Sequence, residues 1–429
     1  MSSTDLLAFL PDGWRRVPLK TTCDFAVSNV DKHSFDDELP VRLCNYTDVY
    51  KNDRVSPDMD LMAATATSQE IARFHLEVGD VVITKDSESW NDIAIPAYVE
   101  GTAEDFVCGY HLALIRPRKD VLDGRFLFRC MQSRPVALQL ELEATGVTRY
   151  GLPKDAIGLA VLPLPPLPTQ LRIANYLDRE TARIDGLIAE KERMLALLEE
   201  KRAALISRVV TRGLGSDVPM KPSGQEWLGE IPSHWLVERA KNLFTVRDDR
   251  SDDGSEELLT VSHITGVTSR SEKDVYMFQA DDKAGYKRCM PGDLAINTLW
   301  AWMGAMGISP LAGIVSPDYH VYTSKGQLLP EYVDLLCRSR PFVAEVSRWS
   351  KGVWSSRLRL YPENFFEMHL PVPPQDEQLE IIRAVETGQR KANALRDSLQ
   401  LSITLAKERR GALITAAVTG QIPMEEMRG

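Results

Sequence analysis

The residue patterns in this chain that could carry out chemistry are few and incomplete. Residues 249–254 (Asp-Arg-Ser-Asp-Asp-Gly) begin like a calcium-binding loop, but Thr260 stands where that loop needs a bidentate glutamate. Residues 199–201 (Glu-Glu-Lys) match a nuclease E-x-K motif, yet they fall within a predicted helix and lack a supporting strand carboxylate. The sequence has no P-loop, G-x-G-x-x-G, Asn-Pro-Pro-aromatic, G-x-S-x-G or H-E-x-x-H motif. These patterns predict that the chain is not an enzyme and that it binds no metal or cofactor itself.

Two loops instead hold residue types that suit DNA binding. The first spans residues 146–152, and the second begins at Lys351, 206 positions after Thr145. Arginine beside small hydroxyl groups and an aromatic ring suits both phosphate contact and recognition of base edges. An exposed turn with ordinary surface arginines is the alternative. The predicted DNA-binding residues, including one after a Gly-Asp turn, are Lys85, Arg149, Tyr150, Lys351, Trp354, Ser355, Arg357 and Arg359.

The chain contains an internal repeat, which indicates how these loops are positioned. Residues 163–173 are matched by residues 371–381, and residues 204–211 by residues 412–419, at a constant offset of 208 positions. Before these segments the offset drifts: Tyr110-His111 is matched by Tyr319-His320 after 209 positions. A constant offset in one region and a drifting one in another indicates a duplicated unit whose loops differ in length.

The constant part of the repeat predicts two long helices, over residues 169–212 and 376–419. Apolar residues recur every seven positions in both, which is typical of a coiled-coil seam. At 1.5 Å per residue, each helix would span about 66 Å. Two separate amphipathic helices, each packed on its own domain, are the alternative. The predicted residues of the helix-pair and partner interface are Leu177, Ile184, Leu198, Leu205, Val385, Leu399 and Leu413.

The regions before each long helix read as globular domains. They contain short β-rich runs such as residues 80–84 and 111–115, bounded by glycine, proline and aspartate. The predicted fold class is therefore α/β or α+β, with two globular domains and two long antiparallel coiled-coil helices. The expected divisions are a first domain at 1–165, a long helix at 166–214, a linker and second domain at 215–372, and a C-terminal long helix at 373–429.

Charge and composition limit the possible partners and location. The formal net charge is −10, so a DNA-binding surface would need basic residues concentrated locally. The six cysteines show no C-x-x-C spacing, which favours a reducing compartment over a disulfide framework. No run approaches eighteen apolar residues, and the first residues lack the basic character of a signal peptide. These features predict a cytoplasmic protein with no membrane partner.

The repeated segments resemble a known family. Residues 163–185 look like the central region of type I restriction–modification DNA-specificity subunits, and residues 220–235 are similar to the start of that family's second recognition domain. The resemblance covers essentially the whole chain. One departure is Thr169, which stands where glutamate is common, whereas Glu377 keeps the acid in the second copy.

This resemblance implies a function in complex with other proteins. Two target-recognition domains would each read one half of a split, asymmetric duplex DNA sequence, with the helix pair fixing an unread spacer between the halves. Methyltransferase subunits, two by the family's pattern, and restriction–translocation subunits would join the chain. S-adenosylmethionine, ATP and Mg²⁺ would bind to those partners and not to this chain.

Other functions remain open from the sequence. The chain could serve a related modification system that lacks type I restriction. It could instead be a coiled-coil scaffold whose two domains bind proteins, in which case sequence-selective DNA binding would be absent.

Overall fold

The structure of the protein is a computed structural model that describes Leu7 and residues 9–272, 282–352 and 358–427. The chain divides into two compact units. The first unit consists of Met1–Glu192 and Leu401–Gly429, and the second consists of Arg193–Gln400. Each unit therefore contains the globular part of one sequence repeat and the final turns of the long helix that belongs to the other repeat.

The first unit holds the strands and helices of the first repeat. Its strands are β1 (Arg15–Pro18), β2 (Cys23–Val27), β3 (Leu39–Cys44), β4 (Arg54–Val55), β5 (Met62–Ala66), β6 (Val81–Thr84), β7 (Asp86–Ser87), β8 (Pro96–Val99), β9 (Phe106–Cys108), β10 (Leu112–Pro117), β11 (Thr145–Gly146), β12 (Tyr150–Gly151) and β13 (Val161–Leu164). The helices that begin in it are α1 (Tyr46–Lys51), α2 (Ser68–Phe74), α3 (Gly124–Gln132), α4 (Arg134–Leu142), α5 (Lys154–Leu159) and α6 (Leu167–Arg212).

The second unit holds the corresponding elements of the second repeat. Its strands are β14 (Met220–Pro222), β15 (Glu230–Pro232), β16 (Leu236–Arg239), β17 (Phe244–Val246), β18 (Leu259–Ser262), β19 (Gly266–Ser269), β20 (Lys287–Cys289), β21 (Leu294–Asn297), β22 (Met306–Ile308), β23 (Gly313–Val315), β24 (Tyr319–Ser324) and β25 (His369–Val372). The helices that begin in it are α7 (Ala240–Leu243), α8 (Pro330–Arg338), α9 (Arg340–Trp349), α10 (Pro362–Glu367) and α11 (Gln375–Val418).

The main sheets of the two units share one strand order. In the first unit the order is β2-β10-β6-β8-β4, and in the second it is β17-β24-β21-β22. The β1–β13 pair also has a counterpart, the antiparallel pair of β16 and β25. The sheets are open, and helices accompany them in both units, so the predicted mixed helix–strand class is confirmed. The drifting offset of the sequence repeat thus corresponds to a shared core with loops of different length.

The two long helices are present, with bounds within two residues of those predicted from the sequence. Helix α6 begins after Pro165-Pro166 and α11 after Pro373-Pro374. A residue that precedes proline is disfavoured in the helical conformation, so neither helix extends further toward the N-terminus. Within the first unit, the beginning of α6 and the end of α11 run in opposite directions, because Arg410 pairs with Asp185 and Lys407 with Glu192. The chain therefore forms the antiparallel helix pairing expected from its sequence.

One buried glutamine fastens each long helix to the globular part of its own unit. Gln170 accepts a hydrogen bond from the backbone N–H of Asp123 at 2.9 Å and donates to the carbonyls of Val121 at 3.0 Å and Pro165 at 2.9 Å. Asp123 is the N-cap residue of α3, so the glutamine fixes where α3 begins. Its side chain is completely buried. Burial of an amide is tolerated here because its hydrogen bonds are made.

The second unit repeats this arrangement. Gln378 accepts from the backbone N–H of Leu329 at 2.8 Å and donates to the carbonyls of Gln327 at 3.0 Å and Pro373 at 2.9 Å. Leu329 is the N-cap residue of α8, the counterpart of α3. The sequence repeat is strict at this position because the same three backbone groups must be satisfied in both units.

The end of each long helix is also held by a matched contact. Gly420, with φ +73°, follows α11 in the first unit, and a Cβ there would lie 2.3 Å from a Pro11 side-chain atom. Gly213, with φ +71°, follows α6 in the second unit, and a Cβ there would lie 3.3 Å from Trp235 and 3.7 Å from Pro232. The positive φ and the close packing both favour glycine. Each unit is thus completed by a helix that begins in the other half of the sequence.

No helix in the described ranges combines the length and the apolar character needed to cross a membrane. All six cysteines are buried free thiols.

Candidate functional site

The end of strand β6 is where three segments of the first unit meet. All four residues of β6 are buried, and the strand follows a Gly-Asp turn whose Asp80 is buried and ion-paired with Arg116 at 2.7 Å. Beyond the strand, the backbone N–H of Lys85 donates to the carbonyl of His111 at 2.9 Å. The carbonyl of Lys85 accepts from the N–H of Leu152 at 2.8 Å. These two bonds fix the 146–152 loop and the 110–111 turn beside the strand end.

Three of the predicted DNA-binding residues come together at this place. Tyr150 lies on β12, which pairs with β7 through Ser87. The Nζ atom of Lys85 lies 3.1 Å from a carboxylate oxygen of Asp86 and 4.9 Å from the centre of the Tyr110 ring. The exposed Arg149 reaches the His111 ring, with its NH2 atom 3.2 Å from Nδ1. Two loops that are more than fifty residues apart in sequence therefore supply one polar cluster.

His111 is the member of the cluster that the sequence analysis missed. Its Nδ1 atom lies 2.6 Å from Asp86 Oδ2. Burial raises the pKa of Asp86, but hydrogen bonds from His111 and Lys85 outweigh it and hold the pKa below its usual value. Asp86 is therefore a carboxylate, so His111 Nδ1 carries the hydrogen and donates. The available sequence signal was the match of Tyr110-His111 to Tyr319-His320, which was used only to trace the repeat.

Backbone strain is concentrated at the same strand end. Ala94 and His111, with φ of 60° and 70°, are the non-glycine residues with positive φ among those the structure describes. The N–H of Ala94 donates to the carbonyl of Thr84 at 2.9 Å, and the carbonyl of His111 accepts from Lys85. The two strained residues thus lie on either side of the last residues of β6. Strained backbone of this kind occurs disproportionately at functional sites.

Exposed aromatic side chains surround the cluster. Tyr46 and Tyr50 stack with ring centres 5.5 Å apart, and Tyr50 donates to Asp92 at 2.7 Å. Trp90 and Tyr110 are each almost half exposed. Aromatic rings next to arginine and lysine can both stack on nucleotides and orient polar groups. Aromatic, basic and acidic side chains thus share this surface of the first unit.

The second unit repeats the connection between loop and strand. The backbones of Lys351 and Arg359 exchange two hydrogen bonds of 2.9 Å, which close a loop between them. The N–H of Leu360 donates to the carbonyl of Thr298 at 3.2 Å, as Leu152 does to Lys85 in the first unit. The other predicted residues of this loop, Trp354, Ser355 and Arg357, lie outside the described residues.

The histidine of the second unit has a different environment. Lys287 is buried and donates through Nζ to the carbonyls of Pro317 at 2.9 Å and Tyr319 at 2.5 Å. The same Nζ atom lies 3.4 Å from His320 Nδ1. Burial and the positive charge of Lys287 lower the pKa of His320 to about 4. His320 is thus a neutral imidazole at pH 7, whereas His111 donates to a carboxylate.

The predicted helix-interface residues fall into two groups. In the first unit Leu177 and Ile184 are buried, and Leu413 is half-buried against the core. In the second unit Val385 and Leu399 are buried. Leu198 is only half-buried, and Leu205 is 40% exposed. The buried positions near the end of α6 are instead Ile206, Val209 and Val210, because this part of the helix packs on the second unit's core.

Two other sequence features are explained by the structure. The carboxylates of the calcium-like loop are held by Arg288, which lies 3.2 Å from Asp249 and 2.8 Å from Glu256. No group of metal-ligating side chains occurs among the residues the structure describes. Arginines also cluster in the sequence over residues 116–134, and one of them, Arg129, is ion-paired with Asp178 at 2.8 Å within its own unit. Arg129 is also almost completely buried, so it stabilises the unit and does not contribute to a basic surface.

Comparison with known proteins finds chains that are similar in sequence and in fold. The chain is 20% identical to the specificity subunit of the type I restriction enzyme EcoKI from Escherichia coli strain K12 over 436 aligned residues, which cover 96% of this chain and 90% of the relative. It is also 20% identical to the EcoBI specificity subunit from Escherichia coli over 343 residues, which cover 75% of this chain and 70% of that protein. The chain is a homologue of type I specificity subunits. No model of a known protein family matches it.

Solved structures support the same fold for this specificity-subunit homologue. A chain in a structure on the assembly and conformational transition of the type I restriction–modification system matches with a TM-score of 0.69 at 16% identity, covering 96% of this chain and 100% of that one. The HsdS subunit from Thermoanaerobacter tengcongensis matches with a TM-score of 0.54 at 16% identity, covering 96% and 98%. At these identities the similarity establishes the fold.

Proposed function

We propose that the chain is the non-catalytic subunit that recognises the DNA target of a type I restriction–modification complex. Residues 1–165 and 215–372 would be its two target-recognition domains. The observation that carries this proposal is the polar cluster at the end of β6, where Lys85, Arg149 and Tyr150 converge on an exposed aromatic surface. The full-length relationship to specificity subunits supports it.

Each unit would read one half of a bipartite target. The same loop meets the same strand end in both units, through Leu152 and Lys85 in the first and Leu360 and Thr298 in the second. The side chains at those places differ, because Asp86 holds His111 whereas Lys287 lies against His320. Different hydrogen-bonding groups recognise different base edges, so the two half-sites should differ and the target should be asymmetric.

The long helices would set the length of the unread spacer. Helix α6 begins in the first unit and ends in the second, and α11 begins in the second and ends in the first. A change of helix length at the unit boundaries should therefore change the spacer while leaving each half-site intact.

Catalysis and its cofactors would belong to partner subunits. Two methyltransferase subunits would supply S-adenosylmethionine chemistry, and restriction subunits would use ATP and Mg²⁺. The free thiols of all six cysteines fit a reducing cytoplasm, where this complex would act.

The second unit offers a surface for such a partner between its segments of α6 and α11. A groove with a volume of about 510 Å³ lies there, lined by Leu198, Leu205 and Leu395 among others. Lys201 and Lys391 also line it. Exposed leucines beside cations suit an amphipathic helix with acidic flanks, and we assign this groove to the methyltransferase subunit.

Selection from a random duplex library tests the recognition function. The full chain would be co-expressed with the methyltransferase subunits encoded beside it, and bound duplexes would be sequenced at two salt concentrations. We expect one split motif with a fixed spacer, and weaker total binding at the higher salt. The methyltransferase subunits alone provide the control. If both samples recover the same unselected sequences, the chain does not specify the target.

A co-purification experiment tests the partner groove separately. Leu395→Asp should reduce recovery of the methyltransferase subunit at least tenfold, because a buried charge opposes apolar docking. Leu236→Asp changes a leucine of the same unit that is 60% exposed outside the groove, and it should leave recovery unchanged. Equal recovery with both variants would show that the partner binds elsewhere.

A further inference from the structure

The side chain of Arg149 is presented by a tightly closed turn. Gly146, with φ +150°, pairs with Tyr150 between β11 and β12. A Cβ at Gly146 would lie 2.0 Å from the carbonyl oxygen of Arg149, so only glycine lets the turn close this far. The turn is further attached to the sheet through Tyr150 and Ser87. The backbone of Arg149 is thereby fixed, and the direction of its guanidinium depends on its neighbours.

The hydrogen on His111 Nδ1 limits how the ring can contact Arg149. Because Nδ1 donates to the Asp86 carboxylate at 2.6 Å, it has no lone pair for the guanidinium. Arg149 NH2 lies 3.2 Å from Nδ1 and 3.5 Å from Nε2, so the guanidinium rests against the ring and does not donate in line with either nitrogen. No other hydrogen bond or ion pair of the Arg149 side chain occurs in the described part of the chain. Most of the guanidinium donors are therefore available to a ligand.

His111 also keeps Arg149 away from an ion pair with Asp86. The Oδ2 atom of Asp86 is contacted by His111 at 2.6 Å and by Lys85 at 3.1 Å. Without the imidazole, the nearby guanidinium would be drawn to the carboxylate, because the paired geometry is strongly favoured for arginine. His111 has a positive φ of 70° at the position from which its ring contacts both groups.

The charges around Arg149 favour a base edge over a phosphate. The electrostatic environment of the Tyr46 hydroxyl includes Asp92, Arg149 and Glu88, which places these groups in one locality. Together with Asp86 and Lys85, the site holds three acids and two bases. A phosphate carries a full negative charge and would be repelled by this net negative charge, whereas a base edge carries no net charge. A planar fork of free N–H donors matches the O6 and N7 acceptors of guanine in the major groove.

We propose that Arg149 reads a guanine in the half-site bound by the first unit, and that His111, held by Asp86, is the positioning residue that keeps the guanidinium free to do so. This inference rests on the proposed function. In the described part of the second unit the aspartate–histidine pair has no counterpart, because Leu299 follows Thr298 where Asp86 follows Lys85, and Lys287 contacts His320 there. The proposed guanine contact therefore concerns the half-site bound by the first unit.

The library selection described above tests the proposal with four variants of the full chain in its complex. Arg149→Ala and Arg149→Lys remove the fork. His111→Asn removes the imidazole but keeps a residue that tolerates a positive φ. The double variant His111→Asn, Asp86→Asn also removes the charge that would capture Arg149. Arg118→Ala is the matched control, because Arg118 is an exposed arginine beyond the opposite end of β10.

The expected result is a change at a single base pair. The wild-type complex should enrich a guanine in one half-site. Arg149→Ala, Arg149→Lys and His111→Asn should each lower its preference over other bases about tenfold, in line with the loss of a bidentate base contact. The other half-site should be unchanged. The double variant should regain most of the preference, which a merely structural role of His111 would not produce. Arg118→Ala should match wild type.

A chemical substitution in the DNA provides the second measurement. Placing 7-deazaguanine at the enriched position removes N7 and should weaken wild-type binding several-fold, with no further loss in Arg149→Ala. A uniform loss across all positions, or a His111→Asn motif identical to wild type, would overturn the inference. If the wild-type complex enriches no motif at all, the proposed function itself fails, and the two failures are thereby distinguished.

Discussion

Replacing Gln170 by methionine should destabilise the first unit through the loss of three hydrogen bonds. Methionine has nearly the same length and volume, so the change removes the amide without opening a large cavity. The lost partners are the N–H of Asp123 and the carbonyls of Val121 and Pro165, at 2.9–3.0 Å. Because the site is completely buried, water cannot replace the amide without rearrangement.

The size of the effect follows from these contacts. A hydrogen bond within a protein contributes about 1 kcal/mol net, so three give about 3 kcal/mol. Backbone groups left unsatisfied in a buried site increase the loss, whereas the added apolar surface of methionine reduces it. We therefore expect the first unit to lose about 3 kcal/mol. Gln378→Met should cost the second unit a similar amount, because Gln378 makes the same three bonds at 2.8–3.0 Å.

Hydrogen exchange measured by mass spectrometry is the suitable assay. A chain of two compact units need not unfold in one step, so a single melting temperature would not locate the loss. Peptides covering β1 and β13 report on the first unit, and peptides covering β16 and β25 report on the second. Gln69→Met, at an exposed position of the first unit, is the control and should change stability by less than about 0.5 kcal/mol.

Two outcomes would refute this reasoning. A loss below about 1 kcal/mol in Gln170→Met would mean that the amide is not satisfied as described. A large loss of stability for one of Gln170→Met and Gln378→Met, and none for the other, would mean that the two long helices are not held by equivalent hydrogen bonds. Either result would also weaken the interpretation of the strict sequence repeat.

Three further predictions concern pH, a helix end and the spacer. Burial beside Lys287 lowers the pKa of His320 to about 4 in the folded chain, whereas the ordinary pKa is 6.5, so below pH 6.5 the unfolded chain binds more protons than the folded one. The second unit should therefore lose about 1–2 kcal/mol of stability between pH 7 and pH 4, after allowance for partial solvent exposure. Urea unfolding followed by hydrogen exchange measures this loss. His320→Gln should remove this part of the pH dependence, and an unchanged profile would contradict it. Gly420→Ala should cost the first unit at least about 2 kcal/mol, because φ is +73° and Pro11 blocks the Cβ, whereas Gly411→Ala, in an open helical position, should stabilise it by about 0.5–1 kcal/mol. Inserting four helical residues after both Glu192 and Gln400 should lengthen each helix by about 6 Å and increase the spacer by about two base pairs in library selection, and an unchanged spacer would contradict the proposal.

The long helices were the part of the fold most accessible from sequence. Apolar residues recur every seven positions along both helices, with one gap at Lys191 in α6, and proline pairs precede both starts. Such signals are local and repeated, so they predict element type and bounds well. The strands were harder, because several have only two to four residues and their partners lie far away in the chain. Their order in the sheets follows from long-range packing that no local pattern records.

The seven-residue spacing describes only part of the packing of the helices. The row of sevens includes Leu198 and Leu205, which line the groove between α6 and α11, whereas the buried Ile206 lies outside that row. A seven-residue row describes one partner helix, whereas the end of α6 also packs on the core of the second unit through Val209 and Val210. The buried face therefore turns away from the predicted row where the packing partner changes.

The first unit's site was predicted in part because its loop carries unusual residue types, and His111 was missed for a physical reason. A lone histidine is uninformative until its neighbours are known. Asp86 and Arg149 reach it from segments 25 and 38 residues away. Only the three-dimensional arrangement shows that one ring nitrogen is occupied and that the guanidinium beside it is free.

The repeat itself can now be explained by what each copy must do. Gln170 and Gln378 satisfy equivalent backbone groups, and Gly420 and Gly213 end helices against equivalent proline–tryptophan turns. These contacts tolerate little variation, because each joins a helix to backbone atoms at fixed distances. The side chains at the strand ends do not have to satisfy fixed backbone groups. Asp86 and His111 in the first unit can therefore differ in type from their counterparts in the second. A duplicated scaffold with unequal surface clusters is the arrangement expected if one protein must recognise two unlike half-sites on one duplex.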